Sequence, residues 1–260
     1  MSKERIAPAV FEKVLPALIV VAFLGAWQLL VSLRGIQPVY LPAPSAIVLA
    51  MIQMAADGSL FVNLGITLLR IFSGFLLATV TGISLGLIMG MSRLFQRIID
   101  PWIAALYPLP KIALIPLLVI WLGTGESYKI LISAITAFFP IVMSTYAGVC
   151  QVDRGLMKAA QDLGASRRQV QFNVVIPAAM PTIFAGLQLG MGVTIIMVIA
   201  AEMIGGSTQG GMGYVLINAG QILETETVFA ALVVLALMGA AIMKLQEWIG
   251  NRLVPWSHSR

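Results

Sequence analysis

An all-α integral membrane fold with about six transmembrane helices is what this chain predicts, on three observations. Of its 260 residues 59% are hydrophobic and only 10% are charged, a balance that a soluble domain of this size rarely has. Apolar stretches recur along the chain, each near the roughly 20 residues that a helix rising about 1.5 Å per residue needs to cross a bilayer. Lysine and arginine collect in the short intervals between them.

Taken in order, the predicted spans cover residues 14–33, 64–91, 98–122, 128–150, 179–203 and 227–249. The first follows Lys3, Arg5 and Lys13, as a signal peptide would. Its apolar run is long for a signal core and no convincing small-residue cleavage site follows, so it reads as a retained helix. Residues 41–56, LPAPSAIVLAMIQMAA, open on prolines that resist helix and continue too briefly to span, which predicts an interfacial helix on the outer face. Gly82, Gly86 and Gly90 in the second span, and Gly186 and Gly190 in the fifth, recur every four residues and so line one helix face where backbones can approach. Between the fifth and sixth spans GGSTQGGMG carries five glycines in nine residues. It lacks the Gly-Lys-Ser/Thr ending of a phosphate loop and reads as a flexible turn or re-entrant loop.

Residues 158–181, KAAQDLGASRRQVQFNVVIPAAMP, form a polar, basic island with internal order. Leu156, Ala159, Ala160 and Leu163 make the i, i+3, i+4, i+7 stripe of a short amphipathic helix. Asp153 is placed to cap its start, and Gly164 to end it in the left-handed conformation before Ala165. Ser166 with Gln169 has the capping-box pattern of a second helix. Arg154, Lys158, Arg167 and Arg168 fall on the outer faces, and Pro177 and Pro181 are expected to break the chain before the next apolar run.

Lysine and arginine orient the chain. With the N-terminus inside, the inner segments hold Lys3, Arg5, Lys13, Arg93, Arg97, Arg154, Lys158, Arg167, Arg168, Lys244, Arg252 and Arg260, against Arg34 and Lys129 outside. The expected plan is a cytoplasmic tail over 1–13, a transmembrane domain over 14–250 containing a cytoplasmic loop at 151–178, and a cytoplasmic tail over 251–260. The net charge of +5 is accounted for by this topology, and no basic patch interleaved with aromatics points to nucleic acid.

Charge inside an apolar segment is informative because an unpaired group there costs about 2.5–3.5 kcal/mol even on the mildest scale. Arg70, Lys111 and Glu202 are such groups. Each either snorkels or joins a structural ion pair, or else serves a substrate path, and the sequence leaves these alternatives open. Lys111 lies in PLPKIALIP, where Pro108, Pro110 and Pro116 are expected to interrupt regular helix and free backbone donors that could line a passage. The single Cys150 has no disulfide partner and reads as a small apolar filler at a helix end.

The island resembles the cytoplasmic loop of ABC-transporter permeases, in which an E-A-A triplet is followed at fixed spacing by a glycine and then an apolar-Pro step. Ala159, Ala160, Gly164, Ile176 and Pro177 match, while Lys158 stands where that family usually has Glu. LYPLPKIALIPLLVIWLGTGESYKI, AAEMIGGSTQGGMGYVLINA and the final LVPW resemble, over nearly the whole chain, the permeases of nitrate, sulfonate, taurine and bicarbonate importers. Glu202 and Gly213 match positions of that group.

The resemblance implies a type I importer permease whose loop helix is a coupling helix docked on an ATP-binding cassette ATPase dimer. It implies a second permease copy, expected to be identical, a soluble solute-binding protein outside, and a bacterial inner (plasma) membrane location with both termini cytoplasmic. ATP and Mg belong to the partner ATPase, and this chain is expected to hold no cofactor, since Walker-type sequences are absent from it. A small anion is the expected solute, an organosulfonate such as taurine first, with nitrate, bicarbonate or pyrimidine-like compounds as alternatives. An ion-coupled secondary transporter would be expected to show an internal repeat and more intramembrane acids. An intramembrane enzyme would need a catalytic constellation, yet the sole histidine is His258 and no HExxH or GxSxG occurs.

Overall fold

A computed structural model of the chain describes residues 6–204 and 210–258. Helices run over Ile6–Arg34 (α1), Pro44–Ala56 (α2), Ser59–Met91 (α3), Arg93–Leu106 (α4), Ile115–Leu122 (α5), Glu126–Cys150 (α6), Arg154–Asp162 (α7), Arg167–Val170 (α8), Ile176–Ile204 (α9), Met212–Gln221 (α10) and Thr225–Leu253 (α11). A π turn over Gln171–Val175 joins α8 to α9, and 3-10 turns occupy Lys111–Leu114 and Pro255–His258.

Five of the described helices are long and apolar enough to cross a membrane, and α4 with the segment 111–122 makes a sixth if that pair, bent by 86°, is one span. The bend falls at Pro108 and Pro110, as expected of residues that cannot donate to a helix. Pro116 does not interrupt: it sits in the first turn of α5, where its missing N–H has no helical acceptor to lose. Pro177 and Pro181 likewise do not break the chain. The helical span is continuous from Arg167 to Ile204, so the loop boundary expected at 178 falls within helix. For Pro177 the π turn supplies the reason, since widening the backbone at Asn173 relieves the carbonyl that its ring would otherwise strike four residues back. Pro181 lies inside α9, and nothing in the structure explains its tolerance there. At the other end α11 continues to Leu253, so helix extends past residue 250.

The chain divides into two compact units. One comprises Met1–Phe61 with Val215–Val234. In it Pro44, which was expected to resist helix, instead opens α2 at a first-turn position, and the Gln28 side chain accepts a hydrogen bond from Ser45 N at 3.1 Å. Trp27 packs against Phe23 and Phe229 with ring centroids 6.3 and 5.9 Å away.

The other unit, Val62–Tyr214 with Leu235–Arg260, is organised about α6. The glycine row of α3 lies against one side of it: a Cβ at Gly86 would come within 2.6 Å of Thr145 Cβ and 2.7 Å of the Val142 carbonyl oxygen. The glycines of α9 lie against another side, where a Cβ at Gly186 would sit 2.4 Å from Ser144 Cβ. Ile141 of α6 fills both gaps, 2.8 Å from a Cβ built at Gly82 and equally close to one at Gly190. These are the close backbone approaches that the four-residue spacing predicts. Cys150, expected as filler, ends α6 exposed.

Candidate functional site

Two constructions stand out at opposite ends of α6, and the first is the turn between α7 and α8. The Asp153 carboxylate accepts from Gly155 N at 2.7 Å and caps α7. Gly164, at φ +90°, ends the helix with Ala165 N donating to Ala160 O at 3.0 Å and Gly164 N to Gln161 O at 2.8 Å, the paired bonds of a Schellman stop. Ser166 then opens α8 with both bonds of the capping box to Gln169.

The turn is anchored from below. Met157, Ala160 and Ala165 pack on a cluster of Val149, Val152, Val170, Val175, Ala179 and Ile183. That splits the predicted stripe, because Ala160 faces inward while Leu156, Ala159 and Leu163 face out. Leu156 is 54% exposed and Leu163 is 89% exposed, which leaves an apolar ridge uncovered by any of the described residues. Arg154 and Lys158 are exposed on the same helix, and Pro177 is half-buried at the start of α9.

At the opposite end of α6 the structure brings together two of the three intramembrane ionisable groups. Arg70 and Glu202 are fully buried and pair through Nη1 and Oε1 at 2.6 Å. Arg70 also grips Glu126 in a fork, Nε to Oε2 and Nη2 to Oε1 each 2.6 Å, and donates to the Gly210 carbonyl at 2.9 Å. Glu202 accepts further from Thr67 Oγ1 at 2.9 Å and from Gly213 N at 2.8 Å. Lys129, also wholly buried, places Nζ 3.7 Å from Glu126. Two cations and two carboxylates thus balance, which is the condition for keeping charge in an apolar setting.

The loop before α10 is tied into this cluster. Met212 N donates to Thr67 Oγ1 and Gly211 N to Asn63 Oδ1, each at 2.8 Å. Gly211, at φ +113°, passes so close that a Cβ would lie 2.5 Å from the Glu202 carboxyl carbon. The glycines read from sequence as flexibility are, at this end, what closeness and left-handed backbone demand. Residues 205–209 of that loop lie outside the described residues.

Sequence reasoning did not single out Glu126, Thr67 or Asn63, and it counted Lys129 only as an outside charge at the start of the fourth predicted span. A partial signal for Glu126 was present: Arg70 needs a carboxylate, and Glu126, Glu202, Glu224 and Glu226 are acids at the outer span ends, among which the sequence does not choose. Lys111 is brought to neither construction. At the bend between α4 and α5 its amine donates to the Tyr107 carbonyl and lies 4.5 Å from the Phe139 ring centre. Among the described residues no carboxylate pairs with it.

Comparison with known proteins gives a consistent result. Residues 78–255 match the family described as binding-protein-dependent transport system inner membrane component. The taurine transport system permease protein TauC of Escherichia coli (strain K12) is 36% identical over 238 residues, 90% of this chain and 86% of that one. SsuC of Bacillus subtilis (strain 168), named for transport of aliphatic sulfonates, is 33% identical over 94% of this chain and 87% of its own. The formylaminopyrimidine transport permease protein ThiX of Halalkalibacterium halodurans is 30% identical over 95% of this chain and 97% of its own. Among solved structures, an inward-facing MetNI methionine ABC transporter aligns with TM-score 0.58 at 21% identity, covering 73% of this chain and 92% of that one. An amino acid ABC transporter aligns with TM-score 0.59 at 18% identity, covering 79% and 97%. These likenesses establish the type I importer permease fold.

Proposed function

The chain belongs to the binding-protein-dependent transport system inner membrane components, and on that premise we propose that it forms the membrane path for a small organosulfonate such as taurine. Family membership makes it the multi-pass inner-membrane permease of an ABC importer, not a catalytic subunit, working with an ATPase and a binding protein. The observation that carries the substrate reading is the similarity, over nine-tenths of the chain, to permeases named for taurine and aliphatic sulfonates. Similarity to ThiX supports a second reading, a pyrimidine precursor. Nitrate and bicarbonate follow from the sequence resemblance.

In this reading α7 is the coupling helix. Leu156, Ala159 and Leu163 enter a cleft of the ATPase dimer, flanked by Arg154 and Lys158, while Gly164, Ala165 and Ser166 hold the angle between α7 and α8. Ala160 seats the helix on its own core, and Pro177 lies where the loop passes into α9. The residue at 158 is Lys where the resemblance expects Glu, so the ridge rather than that charge carries the contact. Burial of Leu163 and of the exposed half of Leu156 contributes about 2–4 kcal/mol before the cost of association. ATP with Mg in the partner closes the ATPase dimer, and the movement reaches two identical permease copies through this helix. Both termini face the cytoplasm with α7, and the binding protein docks on the opposite side.

Of the three intramembrane ionisable groups, Lys111 is assigned to the path as an anion contact, since its charge lacks a carboxylate partner among the described residues. Arg70 and Glu202 are assigned to a clasp that holds the loop before α10. The test joins calorimetry on the cognate binding protein to uptake by the whole transporter in proteoliposomes. Taurine is expected to bind and to be imported, Lys111→Ala to raise KM for it about tenfold with Lys111→Arg near wild type, and Leu163→Asp to release the ATPase while leaving insertion intact. Binding of a pyrimidine and not of any sulfonate would move the assignment to the second reading. An unchanged KM in Lys111→Ala would remove that residue from the path, and retained ATPase binding in Leu163→Asp would remove α7 from coupling.

A further inference from the structure

A cavity of about 550 Å³ opens beside α7, between the end of α3, the start of α4 and the end of α6. Its polar lining is Arg93, Arg154 and Arg167 with Gln96, Gln161 and Gln171, and no acid lines it. Among the described residues none of the three guanidinium groups meets a carboxylate within ion-pair distance. Three fixed positive charges on three different elements thus converge on one concavity without compensation. All three are exposed, and guanidinium groups clustered at one concavity attract an anion from outside the chain.

The position of the cavity points to the source of that anion. α4 starts at the cavity with Arg93, and on its outward side Leu94, Ile98 and Trp102 form an i, i+4, i+8 stripe that is 65, 54 and 68% exposed. An exposed apolar stripe leading away from the cavity along α4 suits contact with acyl chains. The floor of the cavity is made by Met89 and Met91 at the end of the α3 span and by Cys150 at the end of α6. Its mouth therefore lies at headgroup level, with acyl-chain surface beside it. Basic pockets between membrane helices are a recognised setting for acidic lipid headgroups.

We infer that this cavity binds the phosphate headgroup of an anionic phospholipid, with the acyl chains running along the Leu94–Ile98–Trp102 face of α4. Arg93 and Arg167 supply forked donors to the phosphate oxygens, and the glutamines accept from or donate to the glycerol hydroxyls. Because Arg154, Met157 and Gln161 of α7 line the same cavity, the lipid braces α7 against the ends of α3 and α6. The inference concerns α7 as an element of this chain and does not depend on which ATPase docks there.

Native mass spectrometry of the purified full-length permease, with phosphatidylglycerol or phosphatidylcholine added, tests it directly. Wild type is expected to retain phosphatidylglycerol in preference to phosphatidylcholine. The double variant Arg93→Gln, Arg167→Gln should weaken that retention about thirtyfold, as loss of two interfacial charges implies. Arg97→Gln, which removes a neighbouring charge outside the cavity lining, should change it little. An unaltered melting temperature in detergent without lipid confirms that the double variant is folded. Equal loss in Arg97→Gln would mean general surface attraction and overturn the site. Protection of the lipid-free protein by inorganic phosphate, dependent on Arg93 and Arg167, would make it a free-anion site instead. Unchanged lipid retention with loss of ATPase binding in the double variant would assign the arginines to the protein partner and sink the lipid proposal.

Discussion

Arg70 carries a fixed charge on an otherwise apolar stretch of α3, and what makes it tolerable is the pair of carboxylates from α6 and α9 that meet it. Removing one partner of such a buried pair leaves the other uncompensated, which costs about 3–5 kcal/mol. Glu202→Gln keeps the shape of the side chain and the Glu126 fork on Arg70, so a loss near the lower bound, about 3 kcal/mol, is expected as a drop in melting temperature in detergent. Arg70→Gln strands Glu202 and leaves Glu126 with Lys129 alone, and should lose more. The double variant Arg70→Gln, Glu202→Gln is expected to be less destabilised than the sum of the singles, because the charge each leaves unpaired is gone. Strict additivity in that cycle would show that the two side chains do not act as a pair. At this scale the sequence was only half legible. It exposed Arg70 and Glu202 as charges in need of explanation, yet their separation of 132 residues hid the pairing.

The glycine rows of α3 and α9 turn helix spacing into packing, since both bring backbone against α6. Gly86 has no room for a methyl group, whereas a Cβ at Gly65 on the same helix meets nothing within 4 Å. Gly86→Ala is therefore expected to destabilise by about 1–3 kcal/mol, the usual cost of overpacking, and Gly65→Ala to be neutral or slightly stabilising. Melting curves of the two variants side by side check this, and equal behaviour would remove the seam as a source of stability. Spacing of glycines and helix caps was readable because each is a local pattern with a local cause, whereas the α7 stripe, read as one face, is split by the inward turn of Ala160. The prolines were misread at Pro44, Pro116, Pro177 and Pro181. A proline's effect depends on where its helix begins and on the width of the preceding turn, and neither is a property of the proline itself.

For the whole molecule, the expected arrangement places both termini and α7 on one side of the membrane, with the Arg70 clasp toward the other. The glycine contacts show α3 running parallel to α6 and α9 antiparallel to both, so Arg70 and Glu202 meet at the Glu126 end of α6, opposite the end that bears α7. In a Cys150→Ser background, Lys158→Cys and Arg252→Cys are expected to react with a membrane-impermeant maleimide only in inverted vesicles. Leu223→Cys, beyond α10, should react only in right-side-out cells. Reaction of Lys158→Cys from outside would reverse the orientation and remove α7 from reach of a cytoplasmic ATPase.

Sequence alone determined the membrane class, the spans, the capped α7–α8 turn and the family resemblance, because hydrophobic length, cap chemistry and glycine spacing act over a few residues. Tertiary structure decided what neighbours in space had to settle. It turned Ala160 inward and left Leu156 and Leu163 out, joined Arg70 to Glu126 and Glu202, held the glycines before α10 against that pair, and gathered Arg93, Arg154 and Arg167 around one cavity. The reason is physical: a charge in a membrane protein is stabilised by whatever the fold brings within a few ångströms, and distance along the chain carries little information about that.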